Sequence, residues 1–193
     1  MATKVIVKLN LLGDGAVGKT SLRNRFMGKG FRDDHLMTIG ADFSLYEKKI
    51  IHNHIEYEIA FQIWDMAGQA RFENLRARFF QGSMAGIMVY DITREESFHS
   101  IPRWIEEIFR HNGSGVIPLV LVGNKSDLRD KKSVPMKKGE DYAALLSKST
   151  ERYGFTVKYV EASAKDGTNI DIAFETIGHL VLDNLIRKHG SLR

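Results

Sequence analysis

The run Val5-Ile6-Val7-Lys8-Leu9-Asn10-Leu11-Leu12-Gly13-Asp14-Gly15-Ala16-Val17-Gly18-Lys19-Thr20 decides how this chain is built. Its first half is apolar except at Lys8 and Asn10 and reads as a buried strand. Its second half fits G-x-x-x-x-G-K-[ST] and leads into a helical pattern over Lys19 to Met27, the strand-turn-helix context that gives the motif its meaning. Glycines let successive backbone N–H groups curl around phosphate oxygens, and the following helix aims the positive end of its dipole at them. Lys19 adds a cation at the β- and γ-phosphates, and the Thr20 hydroxyl is a hard oxygen ligand for Mg²⁺. The candidate phosphate-binding run is therefore Gly13, Asp14, Gly15, Ala16, Val17, Gly18, Lys19 and Thr20, continued by Ser21.

Beyond this run, strand and helix patterns alternate to the end. Asp42 to Ile51 and Ile55 to Trp64, rich in aromatic and β-branched residues and split by His52-Asn53-His54, read as a hairpin. Arg71 to Phe80 predicts a helix and Met84 to Tyr90 a strand. Glu95 to His111 predicts one helix with Phe98, Ile101, Ile105, Ile108 and Phe109 on its apolar face, followed by a buried strand over Ile117 to Val122. Met136 to Ser147, Thr156 to Val160 and Asn169 to Lys188 follow as helix, strand and long amphipathic helix. This order predicts an α/β fold with a mostly parallel sheet and helices on both faces. The absence of a linker, repeat or low-complexity stretch predicts a single domain over residues 1–193.

Composition narrows the function classes. The formal charge of +4 comes from basic residues scattered along the chain, which does not point to nucleic acid. With no cysteine there is no disulfide framework, thiol nucleophile or cysteine-based zinc site, and no residue to carry a prenyl or palmitoyl group. Met1-Ala2 does not fit the myristate acceptor pattern, and no stretch approaches the ~18 apolar residues of a membrane helix. A cytoplasmic chain without a lipid anchor is the expectation. His52 and His54, at a hairpin turn with no third ligand in view, are expected to be solvated.

The base is addressed by Asn124-Lys125-Ser126-Asp127, which follows the strand ending at Val122. A carboxylate there can accept two hydrogen bonds from the N1–H and exocyclic amine of guanine, a donor pair adenine does not offer on that edge. Asp127 thus points to guanine, Asn124 to a tie with the phosphate loop, and the stem of Lys125 to a cover for one face of the ring. Glu161-Ala162-Ser163-Ala164-Lys165 also follows a strand and comes third in the order such a pocket would use.

The ordered set Gly13 to Thr20, Thr38, Asp65-Met66-Ala67-Gly68-Gln69, Asn124 to Asp127 and Ser163-Ala164-Lys165 resembles the motif set of the Ras superfamily of small GTPases. Thr38-Ile39-Gly40-Ala41-Asp42-Phe43 and Trp64-Asp65-Met66-Ala67-Gly68-Gln69-Ala70-Arg71-Phe72 are similar to the T-I-G-V-D-F and W-D-T-A-G-Q-E-R-F stretches of its Rab branch. The resemblance implies a P-loop fold, a six-stranded mostly parallel sheet with one antiparallel edge strand. It also implies GTP and GDP as ligands, Mg²⁺ as cofactor, and a switch that hydrolyses GTP slowly. Mg²⁺ would be held by Thr20, Thr38 and, through water, Asp65. Phe31 would lie edge-on near guanine, Ala164 N–H would read its O6, and Ser163 and Lys165 would shape that loop. Thr38 and Gly68 would sense the γ-phosphate, and Gln69 would orient the attacking water, with Lys19 as the remaining catalytic group. Effectors, activating factors and exchange factors would engage residues 31–43 and 66–80, and the chain would act as a monomer.

The departures from the pattern lie at Met66 in place of Thr, Ala70 in place of an acidic residue, and His35 where an aromatic hydroxyl is common. Met66 and Ala70 keep open the alternative of a nucleotide-loaded scaffold with negligible hydrolysis. The segment between Asp127 and Ser163 is longer than the family pattern, which predicts an extended helix or loop around Ser147 to Gly154. The end at Lys188-His189-Gly190-Ser191-Leu192-Arg193, with no cysteine tail, leaves two alternatives, a trimmed C-terminus or a protein that works without a lipid, with membrane contact at most weak or through partners.

Overall fold

In the computed structural model, β1 (Thr3–Leu12) places Val5, Val7, Leu9 and Leu11 in one core and Leu12 in the other, with Ile6 exposed near its start. The structure describes residues 3–31, 38, 40–69, 73–190 and 192; Met1, Ala2, His35, Ile39, Ala70, Arg71, Phe72, Ser191 and Arg193, named above, lie outside the described residues. β1 pairs in parallel with β3 (Ile55–Met66) on one side and β4 (Ala85–Asp91) on the other. β5 (Leu119–Asn124) and β6 (Lys158–Glu161) extend the parallel set, and β2 (Ala41–His52) folds back on β3 as an antiparallel edge strand. The resulting six-stranded order, β2-β3-β1-β4-β5-β6, is the sheet the resemblance implies. Every residue of β4 and β5 is buried, as parallel strands under two helical layers must be.

One layer is α1 (Lys19–Phe26) with α6 (Ile170–His189). Phe26 stacks on Phe174 with ring centroids 3.7 Å apart, in a cluster that includes Ile59 and Phe61 of the sheet and Ile177 of α6. The other layer is α2 (Glu73–Phe80), α3 (Glu95–His99), α4 (Ile101–His111) and α5 (Met136–Thr150). There Phe80, Phe98, Trp104, Ile108 and Ala143 pack with Leu12, Met88 and Leu121. The chain leaves β1 toward one edge of the sheet and returns as β4 on its other side. A crevice therefore opens at the carboxyl ends of the central strands, where ligands of open α/β sheets sit.

Two local differences from the sequence reading, at Ser100 and His52, have physical causes, while the extension expected around Ser147 to Gly154 is present. The helix expected over Glu95 to His111 is broken at Ser100, because Pro102 in the first turn of α4 has no N–H to donate to Phe98. The extra length after Asp127 is taken up by α5, which runs to Thr150, and a tight turn over Glu151–Tyr153. His52 is not solvated: it is buried, with Nδ1 2.9 Å from His179 Nδ1 and Nε2 3.0 Å from Asp183 Oδ1. The edge hairpin carries it onto the flank of α6, where burial and then His52 itself hold the His179 imidazole below its usual pKa. His54, at the turn with φ 65°, remains exposed as expected.

Candidate functional site

The loop from Gly13 to Gly18 joins the end of β1 to α1 at the crevice. Gly18 stands just before α1 in the left-handed region (φ 97°), and a side chain there would run into the Asn124 amide. Ala16 takes the same handedness (φ 63°) with an exposed side chain, while Val17 is buried as the loop's apolar anchor. Lys19 folds back over the loop, its Nζ donating to Gly13 O at 2.7 Å and Asp14 O at 2.8 Å. Burial pushes the Lys19 ammonium down to about 8, against the pull of the Asp65 and Asp14 carboxylates. Arg94, at the start of α3, donates from Nη2 to Gly15 O at 2.7 Å. A loop ringed by cations, one of them buried, suits a phosphate anion.

The oxygen groups expected at the metal meet beside this loop. Thr20 Oγ1 lies 3.0 Å from Thr38 Oγ1 and hydrogen-bonds to Asp65 Oδ2. Asp65, at the end of β3, is fully buried, and among the described residues its Oδ1 has no hydrogen-bond partner. Burial raises its carboxyl above the usual range, opposed by the Thr20 hydroxyl and by Lys19 and Arg23. Arg23 is spent mainly on Asp42, at 2.6 Å, with Asp65 3.9 Å away. A buried carboxylate oxygen without a donor is costly, and two hydroxyls beside it complete a set of hard oxygens. The donor set fits Mg²⁺.

Met66 turns away from this corner. It is buried with Leu12, Phe80 and Met88, so the departure from Thr is a packing choice. The next residues bring the β3 loop against the phosphate loop. A Cβ on Gly68 would collide with the backbone of Asp14 and Gly15, so only glycine permits this approach. The Gln69 side chain follows along Gly15, where an added Cβ would sit 3.8 Å from Gln69 Cγ.

On the base side, Asn124 ends β5 and bridges two loops, its Nδ2 donating to Val17 O at 2.8 Å and its Oδ1 accepting from Ala164 N–H at 3.1 Å. The Ala164 N–H expected to read guanine O6 thus already has an acceptor in Asn124. Lys125 adopts φ 69° and pairs with Asp91 at 2.6 Å. Asp127 is exposed, and its Oδ1 accepts from the buried Ser163 hydroxyl at 2.7 Å, which leaves the carboxylate oriented toward solvent. Arg25, from α1, braces this loop through Ala164 O at 3.2 Å and through Lys165 O. Lys165 is exposed at the loop's rim; Ser21 and Phe31 are half-buried, on α1 and just after it.

The Ras family profile matches residues 8–183, which contain all of these groups. The chain belongs to the Ras family. It is 39% identical to Ras-related protein Rab-8B of Pongo abelii over 183 residues, 95% of this chain and 82% of that protein. To Ras-related protein RABA5a of Arabidopsis thaliana it is 38% identical, over 95% of this chain and 76% of the relative. To GTP-binding protein ypt1 of Schizosaccharomyces pombe it is 35% identical, over 93% and 82%. This Ras-family chain is a small GTPase of the Rab-like branch, with GTP or GDP and Mg²⁺ as its cofactors.

Several groups that shape this GTPase's site are not among those the sequence motifs single out. Arg25 and Arg94 brace the two loops, and Trp104 Nε1 and Arg103 Nη2 both donate to Asp14 Oδ1, at 2.8 and 3.0 Å. Trp104 lies on the apolar face of α4 between Ile101 and Ile108, and that periodicity could have flagged it.

Proposed function

We propose that the chain, as a single G domain over residues 1–193, is a molecular switch that changes its partner-binding surface between GTP and GDP states. The observation that carries this reading is the 3.0 Å approach of Thr38 to Thr20 beside buried Asp65. It ties Thr38 to the metal-binding corner, so the position of Thr38 depends on what the corner holds. Mg²⁺, when bound, supplies positive charge at the β- and γ-phosphate oxygens. Thr20, Thr38 and Asp65 hold that charge in place. Lys19 and the backbone N–H groups from Gly13 to Ser21 fix the phosphates, and the Thr38 and Gly68 N–H groups face the γ-phosphate. Gln69 orients the attacking water for hydrolysis. Asp127 reads guanine, with Asn124, Lys125, Phe31 and the Ser163-Ala164-Lys165 loop shaping the pocket around it.

The partner surface is residues 31–43 and 66–80. Its support is an apolar strip in which Trp64 lies 5.1 Å from exposed Phe43 and 5.3 Å from Phe79, with exposed Leu75 nearby on α2. Among the described residues no helix is long and apolar enough to cross a membrane. The reading is of a cytoplasmic monomer that meets membranes through partners.

The test is to identify the nucleotide that co-purifies with the protein and follow its turnover with and without Mg²⁺. A guanine nucleotide, bound far more tightly with Mg²⁺ and hydrolysed faster than in buffer, is the expected result. Tighter binding of ATP than of GTP sinks the guanine assignment, and bound GTP that survives as in buffer leaves the scaffold reading in its place.

A further inference from the structure

Arg76 lies in the middle of α2, within the stretch read above as partner surface, yet it is one of the largest fully buried side chains in the protein. Its Nε and Nη2 donate to Oε1 and Oε2 of Glu107 on α4, at 2.8 and 3.0 Å. Its Nη1 donates to Ala67 O at 3.1 Å and to Gln69 O at 2.7 Å, the carbonyls on either side of Gly68. The guanidinium lies 4.4 Å over the ring of Trp104, whose Nε1 is bonded to Asp14 of the phosphate loop. A strut therefore runs from the phosphate loop through Trp104 to Arg76 and on to the backbone of the Gln69 loop, with Glu107 as its counter-ion.

Stability is a poor reason for such an arrangement. A buried Arg–Glu pair gives back in attraction about what desolvation took, and well-packed apolar residues of similar volume often do as well or better. What the pair adds is geometry: a bidentate carboxylate fixes the guanidinium plane, and the plane fixes two carbonyls. We propose that Arg76 is the positioning residue for Gln69, setting the backbone around Gly68 and so the place of the Gln69 side chain against Gly15. This inference rests on the reading that Gln69 orients the attacking water.

The experiment compares the wild-type protein with Gln69→Leu, Arg76→Lys, and the paired variant Arg76→Met with Glu107→Met. Four quantities are measured: single-turnover GTP hydrolysis, GTP and GDP affinity, thermal midpoint, and amide exchange over residues 67–80. Replacing both charges removes the pair without orphaning either partner. The paired variant should keep its thermal midpoint and nucleotide affinities, exchange faster over residues 67–69, and hydrolyse roughly ten- to a hundredfold more slowly, the scale of a misplaced catalytic group. Arg76→Lys, which keeps the charge but lacks the fork, should show the same split between slowed hydrolysis and unchanged affinity, and decides the matter if the paired variant does not fold.

Wild-type hydrolysis in the folded paired variant, or in Arg76→Lys, while Gln69→Leu is slow, overturns the positioning role and leaves the function of Gln69 standing. An unchanged rate in Gln69→Leu overturns the assignment of Gln69 itself, and the role of Arg76 with it.

Discussion

The two ends of the nucleotide crevice are built on opposite principles. At the base end, Asn124 bridges Val17 and Ala164, Ser163 holds Asp127, and Lys125 pairs with Asp91, all within the protein's own structure. At the phosphate end, Asp65 Oδ1 is buried with no partner among the described residues, and the buried Lys19 ammonium is pushed down to about 8. A pocket whose polar groups already satisfy one another is preorganised and changes little when a ligand arrives. A corner whose buried charges still carry a desolvation cost is relieved by the ligand, and a structure whose energy depends on the ligand in this way can respond to its identity. Recognition of the base and response to the γ-phosphate are thus separated in space.

The strongest challenge to this contrast is Asp127→Ala. Two charge-assisted hydrogen bonds at about 1.5–3 kcal/mol each put the expected loss of preference for GTP over ATP on the order of a thousandfold. Because the buried Ser163 hydroxyl loses its acceptor, a fall in thermal midpoint worth about 1–3 kcal/mol should accompany it, far too little to account for the change in preference. Competition of the two nucleotides for the same protein measures it; a preserved preference means that the base is read elsewhere.

The charge imbalance at the other end can be read by pH. Lys19 has a folded pKa of about 8 against 10.5 for the free side chain, so between those values the unfolded chain binds the proton that the folded one has lost. Stability of the ligand-free protein should therefore rise as pH climbs from 8 to 10, and below 8 the folded state bears the full cost, roughly 3 kcal/mol. Denaturant unfolding at both pH values, in wild type and Lys19→Met, isolates the effect. A rise of equal size in the two proteins removes Lys19 as its source.

Asp65→Asn sharpens the same end. It keeps the shape and an acceptor for Thr20 but removes the buried charge. The expected result is a Mg²⁺ dependence of GTP affinity weakened by one to two orders of magnitude, about 1.4–2.7 kcal/mol, with no loss of ligand-free stability. Titrating Mg²⁺ against GTP binding measures it, and an undiminished dependence would place the metal on other oxygens.

How far the sequence reached follows the same division. The phosphate loop and Asn124 to Asp127 were legible because their chemistry is local: a few adjacent residues at the end of a strand must supply it. The sheet order followed from family resemblance, with alternation alone giving only the class. What stayed hidden was assembled at long range. Arg76 and Glu107 stand 31 residues apart on separate helices, and Arg25 meets the Ala164 loop 139 residues away. Each looks like an ordinary surface charge in its own segment, and no periodicity pairs them. His52 was misjudged for a related reason, since only the packing of the hairpin on α6 reveals its partners. Met66 is the converse, a departure within a motif that the core explains.

The smallest effect tests whether the phosphate end stores backbone strain as well as charge. Ala16 holds φ 63° in the middle of the phosphate loop, with its side chain exposed and nothing gained by its methyl group. The left-handed region costs a residue with a Cβ about 1–2 kcal/mol, and glycine forgoes that cost while losing about 0.5–1 kcal/mol more in unfolded-chain entropy. Ala16→Gly should therefore stabilise the protein by about 0.5–1 kcal/mol, a rise of roughly 2 °C in thermal midpoint for a chain of this size. If the strain lies where the charge does, the gain should be the same with nucleotide bound, since the loop keeps its form around the phosphates. A gain that disappears on loading would mean that the ligand itself relaxes the loop, and that the phosphate end moves in its backbone and not in its charges alone.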